Sequence, residues 1–446
     1  MSCYHIRGGR PLEGRLTVQG AKNSALPILA ATLLAPGESV VENCPHLSDV
    51  DAALAILKGL GCRVWRRGDT VGVDASVLAG AEISRELMEE MRSSVVFLGA
   101  MLARLGQAAL TYPGGCELGP RPIDLHLAAL RGLGAEIREE GECLTCTVGR
   151  GLRGARIHLP FPSVGATENA MLCACGAQGV TTLVGAAREP EIVDLERFLN
   201  KLGARVSGAG TPVVTIEGGR PLHGAEHTVM GDRIVAATWL CACGAAGGEI
   251  ALTGVELGSL DTVLSCLEQA GGRLECAGEE IRFRSTGPLR GISPVHTAPY
   301  PGFPTDAQAI LMAALAGGRG QTLFVENMFE SRYRHVPELQ RMGADIRVQG
   351  RCAVVTGCPL HGQRVESTDL RGGAALVVAA LGAEGTTQVT RLSHIRRGYQ
   401  DMEGTLRQLG ADIRLLPTNR DTGEDHGICE TQPKAKTAPK PAWHTL

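Results

Sequence analysis

One phrase returns six times along this chain: an apolar residue, a glycine, usually an alanine, any residue, then an aliphatic one. It reads Leu60-Gly61-Cys62-Arg63-Val64, Leu133-Gly134-Ala135-Glu136-Ile137, Leu202-Gly203-Ala204-Arg205-Val206, Ala270-Gly271-Gly272-Arg273-Leu274, Met342-Gly343-Ala344-Asp345-Ile346 and Leu409-Gly410-Ala411-Asp412-Ile413. Copies spaced by roughly 70 residues mark a structural repeat. Each follows a stretch of helical period such as Leu127 to Leu133. Each glycine is therefore predicted to stop a helix in the left-handed conformation and release the chain into a strand.

A second, alanine-rich helix precedes the first in every copy, over Leu26 to Leu34, Val95 to Leu105, Ala170 to Gly176, Ala236 to Gly244, Ala307 to Ala316 and Ala374 to Leu381. These stretches have almost no polar face, and a helix apolar all round is buried on every side. Short strands such as Ser39 to Asn43 and Thr181 to Val184 follow them. The fold class expected is α/β, turned inside out, with buried helices within and sheets outside, and two groups of three repeats forming two halves. A length of 446 residues supports two domains, and 44% hydrophobic with 20% charged residues suits a globular chain.

Fifteen cysteines raise the question of disulfides or zinc. Cys173, Cys175, Cys241 and Cys243 lie in the alanine-rich runs, as two Cys-x-Cys pairs. That spacing points two thiols about 200° apart on a helix, so burial as small hydrophobes is the expectation, with no metal. Met1 to Arg7 has no apolar signal core, and Ala25 to Ala35 contains Pro27 and is too short for a bilayer. A cytoplasmic location with no membrane partner is expected. The net charge of −3 gives a nucleic acid no bulk attraction.

The polar residues gather at the starts of the buried helices: Lys22-Asn23, Arg92-Ser93-Ser94, Ser163 to Thr167, Asp232-Arg233, Thr305-Asp306 and Asp369-Leu370-Arg371. Unpaired N–H groups and the positive dipole end make helix starts good anion sites. Thr305-Asp306 alone reads as an ordinary cap, but all six together point to a cleft that grips phosphates and carboxylates. Cys116 stands in a glycine-bracketed loop, Pro113 to Asp124, five residues before Arg121. A thiol near a guanidinium tends toward a lowered pKa and raised reactivity. Taken alone, the loop is a surface turn with a cysteine in it.

Gly20 to Pro27, the Cys116 loop, Pro301 to Asp306, Arg332 to Leu339, Asp369 to Arg371 and Arg397-Gly398-Tyr399 resemble the signatures of the UDP-N-acetylglucosamine 1-carboxyvinyltransferases, over about residues 1–420. The resemblance implies the inside-out enolpyruvyl transferase fold, with 22–229 as one domain, 1–21 plus 230–420 as the other, and no cofactor. It implies transfer of the enolpyruvyl group of phosphoenolpyruvate to the 3-hydroxyl of UDP-N-acetylglucosamine, releasing phosphate. Cys116 matches the family's proton donor, which the epoxide fosfomycin alkylates, and Asp306 the residue that orients and deprotonates the hydroxyl. Lys22, Asn23, Arg121, Arg371 and Arg397 match phosphoenolpyruvate contacts, with Lys22 and Arg397 also in the catalytic set. Asn23, Arg92, Arg121, Pro122, Ile123, Asp124, Leu125, Phe161, Pro162, Ser163, Val164, Asp306 and Met328 would line the nucleotide-sugar site. The two halves should close over both substrates, with the Cys116 loop moving most.

Two positions depart from the family pattern. Phe161-Pro162 stands where many members carry a lysine and a small apolar residue, so either nucleotide binding weakens or a neighbouring base compensates. Arg396 precedes Arg397 where an acidic residue is common. The polar stretch 421–446 is expected to be a disordered tail. Among rivals, 5-enolpyruvylshikimate-3-phosphate synthase shares the fold but lacks such a cysteine loop. A ring-shaped DNA clamp is disfavoured by the charge. A paralogue without activity is disfavoured by the intact set Lys22, Cys116, Arg121, Asp306, Arg371 and Arg397.

Overall fold

The computed structural model describes residues 2–91, 93–112 and 123–417. Arg92, Cys116, Arg121 and Pro122 lie outside the described residues, as does 421–446.

All six glycines of the repeated phrase, Gly61, Gly134, Gly203, Gly271, Gly343 and Gly410, have φ between 91° and 102°. The helices they end span Ser48–Gly59, Asp124–Gly132, Pro190–Lys201, Asp261–Gln269, Val336–Arg341 and Met402–Gln408. After each, the second N–H beyond the cap returns to a carbonyl of the last turn, as in Cys62 N to Leu57 O (3.0 Å) and Ala411 N to Leu406 O (3.0 Å). This double closure satisfies helix-end carbonyls and turns the chain into the outer sheet.

The alanine-rich helices span Lys22–Ala31, Phe97–Leu105, Val164–Cys175, Arg233–Ala246, Thr305–Ala316 and Leu370–Gly382. Small side chains let their backbones approach closely. Gly99 N donates to Asn169 Oδ1 at 2.7 Å, and a Cβ at Gly99 would lie 2.3 Å from the Asn169 carbonyl oxygen. Gly99→Ala should therefore cost about 2 kcal/mol through overpacking, read as a lower urea midpoint. An unchanged midpoint would show that the two helices part without cost. The four Cys-x-Cys thiols are buried in these helices, and burial pushes those of Cys175 and Cys243 up to about 12.

Each repeat adds a sheet whose order is the same. A short edge strand runs parallel to the strand that follows the buried helix, and two antiparallel strands complete the sheet. The third repeat shows it, with Arg156–His158, Gly179–Val184, Val213–Gly218 and Arg205–Ser207. In the second repeat, Gln107–Thr111, Cys143–Thr147 and Glu136–Glu140 form three strands, and a single parallel bridge from Glu82 to Ala109 takes the edge position.

The chain's beginning completes sheets built from its end. Ser2–Arg7 pairs with both Thr386–Thr390 and Asp412–Pro417, and Leu12–Thr17 is the parallel edge beside Gly248–Thr253. In exchange, Glu226–Thr228 edges the sheet of Glu38–Glu42. Two hydrophobic clusters result, one drawn from Ala21 to Met230 and one from Tyr4 to Val18 with Ile234 to Ile413. We refer to them as the first and second lobes. The two crossing segments run antiparallel to each other, joined by Ala21 N to Met230 O (2.8 Å) and Asp232 N to Gln19 O (2.9 Å).

Candidate active site

Buried helices begin at the boundary between the lobes. The Arg233–Ala246 helix is capped by Asp232, whose Oδ1 accepts from Ile234 N and Val235 N while Oδ2 accepts from Lys22 N at 3.2 Å. One carboxylate thus ties together the starts of helices from both lobes. Asp369 caps the Leu370–Gly382 helix through Arg371 N and Gly372 N (both 3.0 Å). Asp306 behaves otherwise. The residue capping its helix is Pro304, and the side chain of Asp306, in the first turn, faces two guanidiniums. Arg332 Nη2 donates to its Oδ1 at 2.7 Å and Arg371 Nη2 to its Oδ2 at 3.1 Å. The capping role considered for Thr305-Asp306 gives way to ion pairing.

Lys22 and Arg397 converge on another carboxylate. Asp49, in the first turn of the Ser48–Gly59 helix, accepts from Arg397 Nε (2.8 Å) and Nη2 (3.2 Å) and from Lys22 Nζ (3.2 Å). Lys22, Arg332, Arg371 and Arg397 gather around Asp49 and Asp306 at the boundary, with the cap carboxylates of Asp232 and Asp369 close by. Four converging cations offer charge-assisted donors to a multivalent anion.

Burial sharpens these charges. Burial alone would raise the carboxyl pKa of Asp306, but Arg371, Arg332 and Lys22 outweigh it and hold the group well below the usual carboxylate range. Asp49 is likewise depressed, burial being overcome by Lys22 and Arg397. Lys22 is lowered, first by burial and then by Arg371 and Arg397, with Asp49 and Asp306 opposing. Tyr399 donates or accepts at 2.8 Å with Thr238 and receives Arg371 Nη1 at 3.4 Å, which fixes that guanidinium from behind. Arg332 is held by two further bonds to Thr305 O, 3.1 and 2.9 Å.

A separate acidic group lies where the lobes meet. Arg233 Nε donates to Glu191 Oε1 at 2.9 Å, and Tyr300 N donates to Glu189 Oε1 at 3.3 Å. Glu168 is buried beside them, and burial, then Glu191 and Glu189, push its carboxyl up to about 8.

The residues expected from sequence fall into groups. Lys22, Asp306, Arg371 and Arg397 come together. Asn23 follows Lys22 in the same helix turn and is half-buried. Ile123 precedes the Asp124–Gly132 helix, with Asp124 and Leu125 in its first turn, and Ser163 caps the Val164–Cys175 helix through Ala166 N. These two helix starts adjoin, since a Cβ at Gly165 would meet the His126 ring at 2.8 Å. Phe161 is 44% exposed, with half-buried Pro162 beside it. Met328 is reached from Asp306's helix through Glu326, which accepts from Thr305 Oγ1 (3.0 Å) and Met328 N (2.8 Å). Arg92, Cys116, Arg121 and Pro122 are outside the described residues. Sequence reasoning missed Asp49, Arg332 and Tyr399 as site residues, although the last two lie in motifs it had singled out.

The family model of EPSP synthase (3-phosphoshikimate 1-carboxyvinyltransferase) matches residues 6–406. The chain is 46% identical over 414 residues to UDP-N-acetylglucosamine 1-carboxyvinyltransferase 2 of Caldanaerobacter subterraneus, covering 93% of this chain and 99% of that protein. It is 48% identical over 415 residues to UDP-N-acetylglucosamine 1-carboxyvinyltransferase of Sorangium cellulosum, covering 92% and 98%. Among solved structures, the enolpyruvyl transferase NikO from Streptomyces tendae superimposes with a TM-score of 0.84 at 29% identity, over 93% of this chain and 99% of that one. EPSP synthase of Acinetobacter baumannii, at 21% identity and a TM-score of 0.72 over 94% and 100%, shares the fold. With its six repeats and the ionic cluster between its lobes, the chain belongs to the UDP-N-acetylglucosamine 1-carboxyvinyltransferase family of enolpyruvyl transferases.

Proposed function

We propose that this chain transfers the enolpyruvyl group of phosphoenolpyruvate to the 3-hydroxyl of UDP-N-acetylglucosamine, releasing phosphate, the first committed step of peptidoglycan synthesis. The observation that carries this reading is the cluster of four cations and two carboxylates between the lobes, in a chain of this family. Phosphoenolpyruvate carries a phosphate and a carboxylate, and Lys22, Arg121, Arg371 and Arg397 are assigned to them. Arginine supplies paired donors and lysine a point charge, and preorganised cations stabilise charge as it shifts in the reaction. Asn23 is assigned to both substrates.

The sugar hydroxyl adds to C2 while a proton goes to C3, and Cys116 is assigned as its donor. Asp306 accepts the hydroxyl's hydrogen bond and takes its proton. A carboxylate paired with two guanidiniums is a weak base, so Asp306 gains basicity only as substrate anions draw Arg371 and Arg332 away. Loss of the C3 proton then expels phosphate and restores the enol ether. Arg92, Arg121 to Leu125, Phe161 to Val164, Asp306 and Met328 are assigned to the nucleotide sugar. Both substrates are polar metabolites of the cytoplasm, where we place the enzyme.

Phosphate release from phosphoenolpyruvate should require UDP-N-acetylglucosamine, and shikimate 3-phosphate should not replace it. Absence of release with the nucleotide sugar would refute the assignment. In the same preparation, fosfomycin should label the wild type and not Cys116→Ala; labelling of the variant would assign the reactive thiol elsewhere.

A further inference from the structure

Asp49 touches Lys22 and Arg397 together, and it does so from inside the protein, with 2% of its surface exposed. It belongs to the first lobe with Lys22, whereas Arg397 belongs to the second, 348 positions away in the chain. The contact has neighbours of the same kind. His46 N donates to Gln400 Oε1 (3.2 Å), Gln400 N to Gln19 Oε1 (3.0 Å), and Gln19 Nε2 to Gly398 O (3.2 Å). The segment carrying Arg397 is thereby seated on the segment carrying Asp49.

We propose that Asp49 is a positioning residue, the buried counter-charge that holds Lys22 and Arg397 side by side across the lobe boundary so that both meet phosphoenolpyruvate together. This rests on the assignment of those two cations to phosphoenolpyruvate. Without an anion between them, the buried ammonium of Lys22 and the half-buried guanidinium of Arg397 repel and each moves toward solvent. Asp49 receives one ammonium proton of Lys22 and two guanidinium N–H groups of Arg397, so one carboxylate fixes the direction in which both cations point. Its place in the first turn of a helix stabilises its own negative charge.

Among the described residues, the charged groups facing Lys22 are Asp49, Asp306, Arg371 and Arg397, and Asp232 accepts its backbone N–H. Asp49→Asn removes the nearer of the two anions and leaves both guanidiniums. The lysine then gives up its proton at lower pH, and the basic limb of kcat/KM for phosphoenolpyruvate moves down by about one unit or more. Asp49→Glu should bring the limb back toward the wild type. Arg397→Gln should move it upward, because a cation has been taken from beside Lys22. Rates will fall in all three variants, so the position of the limb is the readout, with urea unfolding used to establish that each variant is folded.

A limb that stays in place in Asp49→Asn, or moves the same way in Asp49→Asn and Arg397→Gln, overturns the proposal and leaves Asp49 a structural clasp. A wild-type protein that releases no phosphate overturns the functional assignment beneath it, so the two failures are told apart.

Discussion

Asp306→Asn should lower kcat by about 10³-fold, the usual contribution of a positioned proton acceptor. The substitution keeps size and shape, and Arg332 remains bound by Thr305 O, so the site should stay folded. What is lost is the charge that directs the hydroxyl and receives its proton. The Michaelis constant for phosphoenolpyruvate should stay level or fall, because an anion has been removed from among cations that bind an anion. A loss confined to kcat separates this role from ground-state binding. A variant within tenfold of the wild type in kcat would remove Asp306 from activation of the hydroxyl. Since Arg371 and Arg332 hold its carboxyl well below the usual range, the acid limb of kcat/KM should not report Asp306.

Glu168→Gln should abolish most of a loss of stability that runs from about pH 4.5 up to about pH 8. Glu168 is held at about 8 in the folded protein by burial and by Glu191 and Glu189, against 4.5 for the ordinary side chain. Between those values the folded chain keeps a proton that the unfolded chain has released. The stabilisation is complete below about 4.5 and disappears as pH rises through about 8, at roughly 1.4 kcal/mol per unit. Over the window this amounts to roughly 3–5 kcal/mol. Glutamine stays neutral, so the variant should be the more stable protein at pH near 8.5 and only slightly altered near pH 5. Glu189, also raised by burial, leaves a smaller slope of the same sign. Urea unfolding at several pH values measures it, and parallel curves for the two proteins would show that Glu168 ionises normally.

Much of the architecture is written locally. The repeated glycine ends a helix in the left-handed conformation because only the last turn and the next residue are involved, and all six copies obey. The buried helices are legible because their residues are apolar on every side. Their apolar runs are shorter than the helices. The third run was read from Ala170 with its polar opening at Ser163 to Thr167, and the helix is continuous from Val164, because Glu168 and Asn169 look polar in sequence and are buried in fact. Asn169 satisfies itself through Gly99 N, Val95 O and the His126 ring, partners 70, 74 and 43 residues away. The second was expected from Val95, but Ser94–Val96 forms a tighter turn before Phe97.

The same distinction governs the site. Lys22, Asp306, Arg371 and Arg397 stand in recognisable motifs near helix starts. Asp49 gives no such sign, since an aspartate in the first turn of an outer helix is an ordinary dipole partner. Its meaning comes from residues 22 and 397, which only the closed ring of repeats brings together. Charge pairing across hundreds of residues leaves no periodicity to read.

That ring closure also orders events during synthesis. Ser2–Arg7 and Leu12–Thr17 leave the ribosome well ahead of their partners, Gly248–Thr253, Thr386–Thr390 and Asp412–Pro417. At typical elongation rates the opening strands wait on the order of ten to a hundred seconds for those partners. The cluster from Ala21 to Met230 contains no residue of that N-terminal segment and is complete in the chain well before then. The first lobe can therefore mature beside a tethered, still unpaired strand, and translation past the final repeat is what lets the second lobe close.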